Sequence, residues 1–221
     1  MGERGERDKR FTEPLMTPAV AGVHLGIPGN TVRSWAKGKL VHAVPADRPQ
    51  APTLPFVALV EAQILRELRD AGLSMQELRA GVRQLQSDTE QQYVLARNDI
   101  ATDGGSLLYN AATKVAPEWV RAKDRQGTFR QVIEALFRFV SYADDGYAQR
   151  LRLRPYGQAE VIIDPRFGWG RPVLSDTKVP VDVIADLFFA GESVEDIADD
   201  YDISTDHVQA VVRVMGRSAA A

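Results

Sequence analysis

The sequence predicts a mainly α chain with a small β module: an N-terminal helix-turn-helix, a central α+β segment and a C-terminal three-helix domain with a second helix-turn-helix. Three observations predict it. Apolar residues recur at helical spacing from Thr17 to Leu85 with one Pro-rich break. Two stretches at opposite ends, "AGVHLGIPGNTVRSW" and "SVEDIADDYDISTDHVQAVVRVM", share the spacing of two helices crossing over a tight turn. Between them lie β-type runs and turn signals. The boundaries read as a disordered tail at 1–14, a helical domain at 15–85, an α+β segment at 86–160 and a helical domain at 161–221.

Composition narrows the function classes. The 221 residues are 44% hydrophobic, ordinary for a globular chain with a sizeable core. No apolar run approaches the roughly 18 residues of a membrane span, and "MGERGERDKR" is charged rather than signal-like, so a cytoplasmic location and no membrane partner are expected. There is no cysteine, and His24, His42 and His207 lie far apart without ligand spacing. Neither a metal nor a cofactor is expected. The net charge of -3 is unevenly spread: residues 1–50 carry eight Lys/Arg against five Asp/Glu, whereas residues 175–221 carry three against ten. The two ends should therefore meet different partners.

In the first helix-turn-helix, Gly22 is the small residue of the first helix, Gly26 makes the turn, and Ile27 follows it. Val32, Trp35 and Ala36 then share one face of the second helix at i, i+3 and i+4. The opposite face carries Asn30, Thr31, Arg33, Ser34 and Lys37. Such a face can reach phosphates and base edges in the major groove. Pro28 stands where a Ser or Thr cap is usual, which leaves Asn30 to serve as the cap.

The Pro-rich "VPADRPQAPTLP" at 44–55 suits a loop or a short edge-strand pair. Next, "PFVALVEAQILRELRDAG" predicts an amphipathic helix ended by Gly72, and Ser74 with Glu77 predicts a capping box starting another. In the middle segment "QYVLA" and "SLLYN" read as strands with Asp103-Gly104 as a turn between them, residues 128–142 read as a helix, and "QRLRLRP" and "AEVIID" read as strands. Arg150, Arg152 and Arg154 would share one strand face, which by itself is most simply a solvated face. Pro165 to Pro180 reads as a linker or ordered loop.

The second helix-turn-helix places Ile197 and Ala198 in a first helix, Asp202 in the turn, Ser204 as N-cap, and Val208 and Val211 facing inward. Glu192, Glu195, Asp196, Asp199, Asp200 and Asp206 would repel a phosphate backbone, and Arg213 is the one cation on its second helix. Leu187, Phe188 and Phe189 are consecutive, so at most two can face one core.

Residues 15–85, in the order "TVRSWAKGKL", Pro-rich loop, "ILRELRDAGLSMQELR", resemble the MerR family's DNA-binding domain, a winged helix-turn-helix followed by a helical pair. The wing here lacks that family's usual Arg-x-Tyr pair. The resemblance maps Thr31, Arg33 and Lys37 to the recognition helix, with Lys39 and His42 leading into the wing. Residues 161–212 resemble the helical domain of unknown function 433, matching at Asp164, Pro165, Gly170, Pro172, Thr177, Pro180, Ile184, Gly191, Ser193, Ile197, Ala198, Tyr201, Ser204 and Val208. Asp176-Thr177-Lys178 stands in place of that family's Gly-Thr-Arg.

Chains joining these two parts resemble VapB-type antitoxins. That resemblance implies a PIN-like ribonuclease toxin as partner, neutralised by the antitoxin, and operator DNA bound by a homodimer for autorepression. An Arg inserted among the nuclease's carboxylates would suit the first task, and the candidates are Arg150, Arg152, Arg154 and Arg171. Catalysis is not expected: Asp199 and Asp200 point about 100° apart on a helix, and no Ser sits in a glycine elbow with a placed His. The rival is a stand-alone MerR-like transcription regulator whose middle segment binds an effector.

Overall fold

Twelve of the fifteen residues of one helix, Phe56–Asp70, are buried, and the neighbouring N-terminal helices and the strand Ala148–Arg152 pack against it. The structure, a computed structural model, describes residues 8–98 and 138–219, and elements are numbered within those residues. In chain order these are α1 (Lys9–Thr12), α2 (Pro18–Leu25), α3 (Gly29–Lys37), α4 (Phe56–Asp70), α5 (Met75–Thr89), β1 (Val140–Tyr142), β2 (Ala148–Arg152), β3 (Val161–Ile163), β4 (Val173–Leu174), α6 (Val181–Ala190), α7 (Val194–Tyr201) and α8 (Thr205–Ala219). No described helix is long and apolar enough to cross a membrane.

Local chemistry explains most of the helix ends. Thr17 caps α2 by accepting the Val20 N–H at 3.2 Å. Ser74 and Glu77 form the expected capping box of α5, each side chain accepting the other's backbone N–H. Asp202 adopts the left-handed conformation (φ 50°) in the turn after α7, and Ser204 accepts the His207 N–H at the start of α8, as the sequence predicts. Helix α3 departs from prediction. It starts at Gly29 behind Pro28 with no side-chain cap, and Asn30 instead accepts a hydrogen bond from the Arg33 side chain. Asn30 lies one residue inside the helix, too late to cap its first turn.

The four strands form an antiparallel meander in the order β1-β2-β3-β4, with Val140 opposite Leu151, Leu151 opposite Ile163, and Val161 opposite Leu174. All of these are buried and join one core with α2, α4 and the C-terminal helices. One strand and one helix expectation are corrected. "QYVLA" contains a 3-10 turn at Val94–Ala96 whose three residues plug the core, a role short apolar runs fill as readily as strands do. The helix expected over 128–142 ends as strand β1, since Val140–Tyr142 pairs with β2. The remainder of that stretch, "SLLYN" and Asp103-Gly104 lie outside the described residues. Residues 8–14, within the expected tail, include α1; there Arg10 pairs with Asp8 and Asp145, and Phe11 packs on Tyr93 and Tyr147.

Two contacts bind the N-terminal helices to the segment after β2 and to the C-terminal helices, and a third ties α4 to α2. Arg154 Nη1 donates to both Glu67 carboxylate oxygens at 2.6 and 2.7 Å. His24 Nδ1 and the Tyr156 hydroxyl are hydrogen-bonded at 2.6 Å, and that hydroxyl also meets Met215 Sδ of α8 at 3.6 Å. Burial lowers the His24 pKa to about 4, so the ring is neutral at this joint. Arg66 caps the end of α2 by donating to the Leu25 carbonyl.

Helices α2 and α3 cross closely because Gly22 and Gly29 carry no side chain. A Cβ at Gly22 would stand 2.5 Å from the Ile27 carbonyl oxygen and 2.9 Å from the Gly29 nitrogen, both backbone atoms. Gly22→Ala should therefore cost about 1–3 kcal/mol, as overpacking does. A fall in the urea midpoint of unfolding checks this; an unchanged midpoint would mean the two helices part freely there.

Candidate nucleic-acid interface

Helix α3 is amphipathic in the sense the sequence predicts. Val32 and Trp35 are buried, and Asn30, Arg33, Ser34 and Lys37 are exposed, with Thr31 half-buried at the helix start. Arg33 and Lys37 stand one helical turn apart, and the helix contains no acidic residue to neutralise them. The 2.9 Å bond from Arg33 Nη1 to Asn30 Oδ1 leans the guanidinium toward the N-terminal end of the helix. There the helix dipole adds positive potential, which suits a phosphate.

Beyond α3, Lys39 takes a left-handed backbone (φ 58°) and the chain turns so that Leu40 and Val41 bury and donate to the Trp35 carbonyl. Lys39 itself stays exposed. His42 behaves differently: it is half-buried, its ring meets Tyr93 edge-on at 4.9 Å, and burial lowers its pKa. Its backbone N–H donates to the Glu61 carboxyl at 2.6 Å. His42 thus anchors the loop root to α4.

The Pro-rich stretch closes on itself and on the start of α2. Val44 N–H donates to the Thr53 carbonyl at 2.9 Å, and Leu54 pairs with Met16 in an antiparallel bridge. At its tip, residues 46–50 project with Arg48 exposed. Arg33 and Lys37 on one side and Arg48 on the other line a single open groove of about 1040 Å3 between α3 and this loop. Arg48 was missed by motif reasoning, although "PADRPQ" did carry a signal: one arginine at the apex of a proline-stiffened loop.

The four arginines singled out as toxin contacts all have carboxylate partners within the chain. Arg150 reaches Asp164 and Arg154 reaches Glu67; those carboxylates are 0% and 8% exposed. Arg152 pairs with Glu160 and Arg171 with Asp182, and these two acids are open to solvent. Arg154 also lies beyond the end of β2, in the following 3-10 segment, so the expected row on one strand face contains only Arg150 and Arg152.

In the second helix-turn-helix, the six acids Glu192, Glu195, Asp196, Asp199, Asp200 and Asp206 are all exposed, and Val208, Val211 and Val214 of α8 are buried. Phe189 is 54% exposed, while Leu187 and Phe188 pack against the core, in line with the limit of two.

Residues 14–82 match the family described as "Putative DNA-binding HTH domain", which covers α2, α3, the loop and most of α5. Residues 161–213 match "Protein of unknown function (DUF433)". Across almost the whole chain, the protein is 30% identical to the "Putative antitoxin VapB45" of Mycobacterium tuberculosis, over 92% of this chain and 95% of that one. The chain belongs to the VapB45 antitoxin family. Its structure is similar to the crystal structure of Rv2018 from Mycobacterium tuberculosis, with a TM-score of 0.77 and 30% identity over 92% of this chain and 99% of the other. Both the DNA-binding match and the family relationship cover the groove between α3 and the loop.

Glu61 gives a test of how that groove's root is held. Burial pushes its carboxyl up to about 8, against the opposing pull of the His42 N–H. The unfolded chain releases this proton near 4.5, so between about pH 4.5 and 8 the folded state binds more protons and its stability declines as pH rises. Glu61→Gln still accepts the His42 N–H but cannot ionise. Its melting temperature should gain on wild type as pH is raised from 5 to 8; an equal difference at both pH values would contradict a buried protonated Glu61.

Proposed function

We propose that this chain is the antitoxin of a toxin–antitoxin pair, and that it binds its own operator through α3 and the loop at 44–53. The unit formed by α2, α3 and the loop acts as a MerR-like winged helix-turn-helix. The observation that carries the proposal is the groove lined by Arg33, Lys37 and Arg48, three cations against the single acid Asp47, with no acid on α3 itself. Asn30, Thr31, Arg33 and Ser34 lie at the N-terminal half of α3, where base edges are reached in this docking geometry. Lys37, Lys39 and Arg48 serve phosphates, which position the protein without reading sequence. His42 supports the loop root.

Operator recognition of this kind uses two half-sites about one helical turn apart, so the repressing species is a homodimer. Binding to its own promoter region makes it an autorepressor and a cytoplasmic protein. The "antitoxin" in the relative's name supports the second task, neutralising a toxin, which we take to be a PIN-like ribonuclease with a carboxylate-held metal. Among the four candidate arginines, Arg152 and Arg171 are the ones free to exchange a solvent-exposed partner for a toxin carboxylate at small cost. Arg154 holds the buried Glu67 carboxylate, and withdrawing it would strand a buried charge, while Arg150 shares the buried Asp164 with Arg166.

Fluorescence anisotropy with the duplex upstream of the gene tests the DNA half. Arg33→Ala should weaken operator binding by about 1–3 kcal/mol if it makes a bidentate base contact, and Lys37→Ala should weaken operator and unrelated duplex alike and flatten the salt dependence. Unchanged binding by Arg33→Ala would remove α3 from the interface.

A further inference from the structure

The loop between β3 and β4 holds a feature that DNA binding does not use. Gly168, Trp169 and Gly170 have consecutive left-handed backbones, with φ of 55°, 57° and 77°. Glycine adopts this conformation readily, whereas a bulky aromatic does so only under constraint. The constraint is visible on both sides. A Cβ on Gly170 would stand 2.7 Å from both Leu15 methyl carbons, and one on Gly168 would stand 3.1 Å from Val173 Cγ1. Backbone bonds from Phe167 to Asp164, Gly170 to Phe167 and Arg171 to Gly168 close the turn. The result is a rigid loop that projects the Trp169 indole into solvent, 88% exposed, beside the 38% exposed Phe167.

Cations flank the Phe167 side of this knob. The Arg166 guanidinium lies 5.6 Å from the Phe167 ring centre and the Lys178 ammonium 5.5 Å from it. Arg171 follows the knob with Asp182 as its partner, and Lys9 and Glu13 both line the hollow of about 480 Å3 on the Trp169 flank. Beneath them Asp164 is fully buried and hydrogen-bonded to Arg166, which fixes the base of the loop.

We propose that Trp169 is the anchor by which this chain grips the acidic face of its nuclease toxin, with the indole in a pocket and Arg171 and Lys178 against carboxylates around it, while Arg166 stays on Asp164 and holds the base of the loop. The proposal rests on the antitoxin reading. Tryptophan and arginine are the residue types that dominate interface energetics, and a loop whose backbone is already held loses little backbone entropy on docking. A second copy of this chain is the competing occupant, and sedimentation distinguishes it. A single projecting indole differs from the successive aromatics along a groove that stack single-stranded nucleic acid.

Trp169→Gly removes the side chain and relieves the left-handed strain, so the fold is retained or slightly stabilised. The test measures the affinity of the full chain for the purified nuclease encoded in the adjacent reading frame, by calorimetry, with operator binding, melting temperature and sedimentation in parallel. We expect Trp169→Gly to weaken nuclease binding about 30-fold or more with the other three readouts preserved, and Trp169→Phe to recover part of the loss. Wild-type affinity in Trp169→Gly overturns the anchor while leaving the antitoxin reading intact. Loss of operator binding or of self-association, with nuclease affinity kept, overturns it in favour of a nucleic acid or a second copy. A wild-type chain that does not bind the co-encoded nuclease overturns the antitoxin reading itself.

Discussion

The close crossing of α2 and α3 at Gly22 is the constraint on which the exposed basic face depends. With backbone atoms of the turn less than 3 Å from where a side chain would begin, the two helices have one way to pack. Val32 and Trp35 then fall into the core and Arg33 and Lys37 fall outside it. The same helix α2 is tied through His24 to Tyr156 and so to α8. Consequently the basic face is held on the N-terminal helices and, through them, on the C-terminal ones. A small residue at one position thus sets the orientation of charges that would make contacts several residues away.

Charge separates two helix-turn-helix units of similar spacing. In the N-terminal unit, α3 holds its cations clear of any acid on the same helix, facing a loop whose tip adds Arg48. In the C-terminal unit the equivalent surface displays acids, and the apolar side of α8 is spent on the core. Phosphate binding is governed by the number of cations that displace counterions, so spacing alone could not distinguish the two. The sheet supplies a third kind of surface. Its arginines are engaged within the chain, and Trp169 projects from the loop that follows β3.

Much of this was legible in the sequence because it rests on local rules. The Ser74–Glu77 box, the Asp202 turn, the Ser204 cap and the two faces of α3 each depend on residues within one or two turns of each other. What was not legible depends on long-range partners. "QYVLA" has strand composition, but its three core positions are taken up by a 3-10 turn. Val140–Tyr142 continues a helical period until β2 offers it a ladder. His42 lies next to the basic stretch in sequence, and only the packing of Tyr93 and Glu61 turns it inward. Arg48 and Trp169 belong to no periodic pattern, since each sits at a loop apex whose geometry comes from backbone contacts made elsewhere.

Hydrogen–deuterium exchange along the chain, with and without a duplex from the upstream region, asks most directly which unit meets DNA. Protection concentrated at residues 28–39 and 46–50, with 204–213 unchanged, is the result that the α3–loop groove predicts. Protection confined to 204–213, or none in 28–39 under conditions where the duplex is bound, would contradict it.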